Sequence, residues 1–267
     1  MSKSKFRFSR KMLAIPYGMF LMLFVVVPLI LVVYFAFTDI DGHFTFDNIV
    51  DFFSDSTNIN TLLISVLIGV GNTIICLIIG YPIAYIIAKK ENKISFILIL
   101  LFVMPMWINF VLRTAATRDL LTWVGISGGE HPYIATMIGM AYNYLPFVIL
   151  PLYTTMIKMD RSQVEASMDL GANRFQTFVK TIIPMTMPGI ISAVSMVFMP
   201  TMSSYVISDV LGERKISLIG NIIQTYFDQI MWNMGSLVAL IMMIFIFIGM
   251  FITRNSQKEE LSRGNLW

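Results

Sequence analysis

The segment from Lys158 to Lys180 carries the most ordered pattern of polar groups in the chain. It reads Lys158-Met-Asp-Arg-Ser-Gln-Val-Glu-Ala-Ser-Met-Asp-Leu-Gly-Ala-Asn-Arg-Phe-Gln-Thr-Phe-Val-Lys180. Ser162 and Glu165 stand three apart, the spacing of a capping box in which a hydroxyl and a carboxylate each satisfy an orphan amide. Ala166, Ser167 and Met168 carry the helix to Leu170. Gly171 then falls at the position where a left-handed residue closes a helix at little cost. Asn173 and Gln176 repeat the box, so the spacing predicts two short helices joined at a glycine elbow. Leu170, Phe175 and Phe178 cluster about that turn. Capped helices showing apolar side chains serve docking rather than bond-breaking. The occupant is either another protein or a lipid surface on which the helices lie.

A second group of residues suits binding of a cation. Asp209 closes the run Ser203-Ser-Tyr-Val-Ile-Ser-Asp, with Tyr205 one helical turn before it. A carboxylate beside an aromatic face is the pairing an ammonium group prefers. Trp107, Asn109, Tyr142, Asn143 and Tyr144 are polar or aromatic residues inside apolar runs. Such residues either line a water-filled path or hydrogen-bond helix to helix. Arg113, near the end of such a run, is expected to pair with Asp119 or Asp209. Covalent chemistry finds no support. The single cysteine, Cys76, sits in an apolar run and reads as a small buried hydrophobe. The histidines, His43 and His131, lie in short polar segments without metal-ligand spacing, so no metal is expected. No Gly-x-x-x-x-Gly-Lys-Ser/Thr loop occurs, so this chain is expected to bind no ATP and to be no enzyme.

The elements that hold these residues follow from composition. Of 267 residues 57% are hydrophobic and only 13% charged, and mean hydropathy is +0.75. A soluble domain carries about 25% charged residues, so a soluble enzyme, a disordered chain and a nucleic-acid binder are excluded. A helix needs about 20 apolar residues to cross a bilayer. Uncharged stretches of that order cover residues 12–37, 56–88, 94–112, 132–157, 181–208 and 229–253. The first is longer than the ~7–15 apolar residues of a signal sequence and no small-x-small site follows it, so it is expected to be retained. Basic residues cluster on one side: Lys3, Lys5, Arg7, Arg10 and Lys11, then Lys89, Lys90 and Lys93, then Lys158, Arg161, Arg174 and Lys180, then Arg254, Lys258 and Arg263. Only Arg113, Arg118, Arg214 and Lys215 fall on the other. The positive-inside rule therefore predicts both termini in the cytoplasm. The outer side holds Asp39, Asp41, Asp47, Asp51, Asp55, Asp119, Glu130, Asp209, Glu213 and Asp228. That acidic excess suits a cationic cargo, although topology itself depletes outer bases. Proline breaks in nearly every span suit a bundle that encloses a path, and membrane helices also carry more proline in general. No internal repeat points to a secondary transporter.

Glu165-Ala166-Ser167, then Gly171 and Pro184, resembles the Glu-Ala-Ala motif of ABC importer permeases of the type I fold. Glu165, Ala166, Gly171 and Pro184 fall in register with that motif. Ser167 stands for its second alanine, Thr181 for an isoleucine and Ile183 for a leucine. The resemblance implies an all-helical membrane protein of six spans with a coupling loop at 158–180. It implies a first part, 1–60, of tail, span and acidic loop, a five-helix core, 61–255, and a tail, 256–267. Glu165, Ala166, Ser167, Leu170, Gly171 and Phe175 are then the residues that couple to an ATPase. Within the family, Leu170-Gly-Ala-Asn-Arg-Phe-Gln-Thr-Phe178, Ile182-Ile-Pro-Met-Thr-Met-Pro-Gly-Ile190, Tyr205-Val-Ile-Ser-Asp209 and Leu218-Ile-Gly-Asn221 look like the first permease subunit of spermidine/putrescine importers. What this implies is a multi-pass protein of the bacterial inner membrane, without a cofactor of its own. Its partners would be a second permease, two cytoplasmic ATPase subunits and an external binding protein. Permeases on the same frame for thiamine, iron or anions, and an ion-gradient transporter, are the alternatives.

Overall fold

The computed structural model describes residues 14–90 and 93–264. The basic tail with Lys3, Lys5, Arg7, Arg10 and Lys11, the first two residues of the first span, and residues 265–267 lie outside the described residues, as do the side chains of Lys93, Arg254, Lys258 and Arg263. Among the described residues the structure is helical, apart from one isolated β-bridge between Thr38 and Phe44.

Among the described residues five helices are long and apolar enough to cross a membrane: α1 (Ile15–Ala36), α3 (Ser56–Lys89), α6 (Pro132–Met156), α8 (Arg174–Met202) and α11, whose apolar part is Trp232–Phe251 and which continues to Gly264. The shorter helices are α2 (Asp47–Ser54), α4 (Lys93–Val103), α5 (Phe110–Trp123), α7 (Arg161–Asp169), α9 (Tyr205–Leu211) and α10 (Ile219–Asp228).

The third span is not the straight helix that its uncharged run suggested. Ile94–Trp107 and Phe110–Trp123 meet at an angle of 99°, and together they are apolar enough for a sixth, broken span. Pro105 has no amide proton to continue the ladder, and Met104–Trp107 tightens into a 3-10 turn. Ile108 is extended, and the Asn109 side chain then accepts from the amides of Val111 (2.9 Å) and Leu112 (3.3 Å) to start α5. Hydropathy counts charges and is blind to direction, so this turn did not show in it.

The chain divides into two compact units. The first holds Met1–Ser56 and Ile223–Met243. Its organising contacts are at the end of α1, where the last carbonyls of a helix lack intrahelical donors. Asn48 Nδ2 donates to the carbonyls of Ala36 (3.1 Å) and Thr38 (2.9 Å). Asn233 Nδ2 donates to the carbonyls of Thr38 (2.6 Å) and Asp39 (3.1 Å). Two asparagines far apart in sequence thus close the same helix end. Asp39, Asp41 and His43 also come together in this loop, with one ligand-capable atom each within 4.8 Å of one another. The His43 amide donates to Asp39 Oδ1 (2.8 Å), so a tight turn brings them close.

The second unit holds Thr57–Ile222 and Ile244–Trp267. Its centre is the pairing of α6 and α8, with Val148, Ile149, Leu152 and Met156 buried from one helix and Ala193 and Val197 from the other. Close approach depends on small residues, as is usual between membrane helices. A Cβ on Gly189 would lie 2.7 Å from Thr155 Oγ1, and one on Gly80 would lie 2.8 Å from Val148 Cγ1. Buried hydroxyls donate to carbonyls one turn back, as Thr73 does to Gly69 (2.7 Å) and Thr201 to Val197 (2.7 Å). In lipid each such group needs a partner inside the protein. Cys76 is fully buried and free, as expected for a small hydrophobe.

Candidate functional site

The loop between α6 and α8 folds from its own sequence. α7 begins two residues earlier than the Ser162–Glu165 spacing suggested. Asp160 is its N-cap, and its carboxylate accepts from the Ser162 amide at 3.0 Å. Asp and Ser are near-equal caps, and the helix forms from the first of the two. At the far end Gly171 has φ +89°, its amide donates to the Met168 carbonyl (2.9 Å), and the Ala172 amide donates to the Ser167 carbonyl (3.2 Å). Those two bonds are a Schellman closure. The second box stands as the spacing predicted: Gln176 N donates to Asn173 Oδ1 (2.8 Å), and Asn173 N to Gln176 Oε1 (3.0 Å).

The helix after the elbow is not a separate short element. Arg174–Thr177 runs through a π-helical turn, Phe178–Ile182, straight into the fifth span. Glu165, Ala166, Leu170 and Phe175 are exposed, Leu170 by 89% and Phe175 by 75%. Phe178 instead turns inward and meets the rings of Tyr81 (5.6 Å) and Tyr85 (6.2 Å) edge-on. Behind α7 lies a pocket of about 560 Å³. Glu165, Met168, Arg161, Lys89 and Arg174 are among the residues that line it. Arg161 also donates from Nη2 to the Lys89 carbonyl (3.2 Å), tying α7 to the end of α3.

The residues suggested for a cation path scatter. Arg113 is buried in the first turn of α5 and finds no carboxylate among the described residues. Its Nε donates to Asn143 Oδ1 (2.8 Å) and its Nη1 to the Pro105 carbonyl (2.7 Å). The guanidinium lies 5.9 Å from the Phe110 ring centre and 5.8 Å from that of Tyr142. The expected ion pair with Asp119 or Asp209 is therefore absent. Asp119 pairs with its neighbour Arg118 at 2.8 Å. Asp209 Oδ1 accepts from Asn221 Nδ2 at 2.6 Å. Asn143 also donates to the Gly139 carbonyl (2.8 Å). Tyr144 is hydrogen-bonded to Ser204 and to the Pro200 carbonyl. Asn109 caps α5, while Trp107, Tyr142 and Tyr205 stay exposed. Tyr205 and Asp209 share α9, one turn apart, as the sequence suggested.

Sequence reasoning missed two links that the fold makes. Asn72 Nδ2 donates to Thr201 Oγ1 (2.9 Å), and the Tyr81 hydroxyl bonds Thr186 Oγ1 (2.8 Å); both join α3 to α8. A polar residue in an apolar run was the available signal, but its partner was not legible.

Long apolar helices, one broken pair and a capped helical loop between two of them define a multi-pass membrane protein. Residues 4–259 match the family described as the binding-protein-dependent transport system inner membrane component, and the chain belongs to it. It is 33% identical over 245 residues to the spermidine/putrescine transport system permease protein PotB of Escherichia coli (strain K12), covering 84% of this chain and 89% of that protein. It is 34% identical over 262 residues to PotB of Haemophilus influenzae, covering 89% and 90%. Its fold is shared with a chain of a bacterial alginate ABC transporter solved with an alginate-bound periplasmic protein. That match has a TM-score of 0.70, an identity of 11% and coverage of 93% of each chain.

Proposed function

We propose that this chain is a membrane-spanning subunit of an ATP-driven importer of spermidine and putrescine. An external binding protein delivers the polyamine. A second permease completes the path, and two ATPase subunits dock on the cytoplasmic loops. The observation that carries this reading is the α7 loop. A nine-residue helix, capped by Asp160 and closed at Gly171, is followed across the elbow by the helix from Arg174 that runs directly into the fifth span, and Leu170 and Phe175 stand exposed on either side of that elbow. A capped, rigid helix transmits displacement, where a flexible loop would absorb it. The similarity to PotB over most of both chains supports the polyamine as cargo. Asp209, with Tyr205 one turn back, offers a carboxylate and an aromatic face to an ammonium group.

Reconstitution tests this. The chain is incorporated into liposomes with its neighbouring-gene permease, ATPase and binding protein. Uptake of labelled spermidine should need ATP and every component. Uptake driven by an ion gradient through this chain alone would overturn the ATP-driven reading, and ATP-dependent uptake of thiamine, iron or an anion but not of polyamines would overturn the cargo.

A further inference from the structure

α7 has no buried residue, and the pocket behind it separates it from the bundle. Apolar packing therefore does not fasten it. Its end at Gly171 is a left-handed glycine around which a Cβ would meet nothing within 4 Å, so no side-chain packing braces the elbow itself. Yet one side chain of α7 reaches across the elbow. Thr181 Oγ1 donates to Ser167 Oγ at 3.1 Å, and Ser167 Oγ lies 3.4 Å from Thr177 Oγ1 as its donor. Thr177 is buried, and Ser167 and Thr181 are half-buried, so these hydroxyls are partly shielded from competing water. Thr177 and Thr181 stand four apart across the π-helical turn Phe178–Ile182. From the same turn Phe178 packs on Tyr81 and Tyr85 of α3. Ser167 and Thr181 are also two of the positions where this chain departs from the alanine and isoleucine of the motif it resembles, and here the two departures touch.

We propose that Ser167, Thr177 and Thr181 form a hydroxyl bridge that makes α7 and the start of the fifth span move as one body. The bridge rests on α7 being the ATPase-coupling helix. A push on α7 then turns the π-helical segment, and through Phe178 it reaches α3, instead of being lost by hinging at Gly171. Ser167 and Thr181 are positioning residues. They touch neither nucleotide nor cargo.

Two kinds of variant test it in the assembled importer in liposomes, read as spermidine transported per ATP hydrolysed. Thr181→Val keeps the shape and removes the donor. The ratio should fall about fivefold, the scale of one neutral hydrogen bond, while ATPase co-purification is kept and Thr181→Ser restores the ratio. The second variant, Ser167→Cys with Thr181→Cys in a Cys76→Ala background, replaces the bridge by a disulfide on oxidation. If the two elements move together, the oxidised importer transports as fast as the reduced one. Transport that stops on oxidation and returns with reductant shows relative motion and overturns the proposal. So do an unchanged ratio in Thr181→Val and failure of the cysteine pair to cross-link. Loss of the underlying reading looks different: the ATPase then fails to bind the unaltered chain, or Gly171 and α7 variants leave transport intact.

Discussion

Arg113 gives the sharpest quantitative expectation. It is 8% exposed, and among the described residues no carboxylate neutralises it. It holds the broken third span together: one donor reaches Pro105 before the bend, and another reaches Asn143 on α6. A hydrogen bond from a charged group contributes about 1.5–3 kcal/mol, and an acceptor left buried without a donor costs ~1–3 kcal/mol. Withdrawing the guanidinium from water opposes these gains. Arg113→Met keeps much of the aliphatic stem, relieves that desolvation, and leaves Asn143 Oδ1 without its donor, while the Pro105 carbonyl keeps the Ile108 amide at 3.3 Å. The net loss is expected at about 1–3 kcal/mol, the cost of one orphaned acceptor and one lost charged hydrogen bond less the relieved charge. Arg113→Lys keeps the charge but not the planar fork, so it should satisfy one acceptor and lose about half as much. Pairing Arg113→Met with Asn143→Leu removes one orphan along with its donor, so the two losses should fall short of additive by about 1 kcal/mol or more. Thermal unfolding of the detergent-purified chain, followed by intrinsic fluorescence, reads all of these. Arg113→Met with the stability of the unaltered chain, or strictly additive losses in the double variant, would refute the clamp.

The other expectations are simpler. At Gly171 a Cβ meets open space, so Gly171→Val is penalised only through φ +89°, by ~1–3 kcal/mol for a left-handed residue; transport should fall while Gly171→Asn is milder, and normal transport in the valine variant would remove the elbow from the mechanism. Asn233→Ala strips two donors from the end of α1 and should lower stability by about 1–2 kcal/mol, as loss of a cap does; an unchanged unfolding midpoint counts against it. Asp209→Asn retains an acceptor for Asn221 but removes the charge. In a cation path its half-saturation for spermidine should rise about ten- to a hundredfold, the worth of one charged hydrogen bond, and wild-type import kinetics in an assembled variant would take Asp209 out of the path. Cysteine placed at Asp47 should be labelled from outside the cell, and labelling from the cytoplasm alone reverses the topology.

What the sequence discloses and what it hides divide along chain distance. Gly171, Asn173 and Gln176 were legible because the bonds they make close within a few residues. So were the straight spans, which need only a run of apolar side chains. The bend at residues 104–109 is also local, and Pro105 with Asn109 writes it plainly, but counting charge treats that stretch as a continuous run. Choosing between Asp160 and Ser162 as the cap fails for a different reason: both residue types do the same work, and two positions cannot be separated by preference alone. The pairings Arg113–Asn143 and Asn72–Thr201 hide more deeply, since each half reads as an isolated polar group in an apolar setting, and Ser167–Thr181 hides because its halves are fourteen residues apart. In a membrane interior an isolated polar group has two fates, another helix or a water-filled path, and only its partner decides between them. Asn109, Asn143 and Tyr144 have their hydrogen-bonding capacity directed at backbone and neighbouring helices. Tyr205 and Trp107 keep exposed aromatic faces, and among the described residues no basic side chain pairs with the Asp209 carboxylate. A cation needs acceptors that the fold has not already neutralised, and Asp209 with Tyr205, the ammonium contact we propose, sets a carboxylate and a ring one helical turn apart.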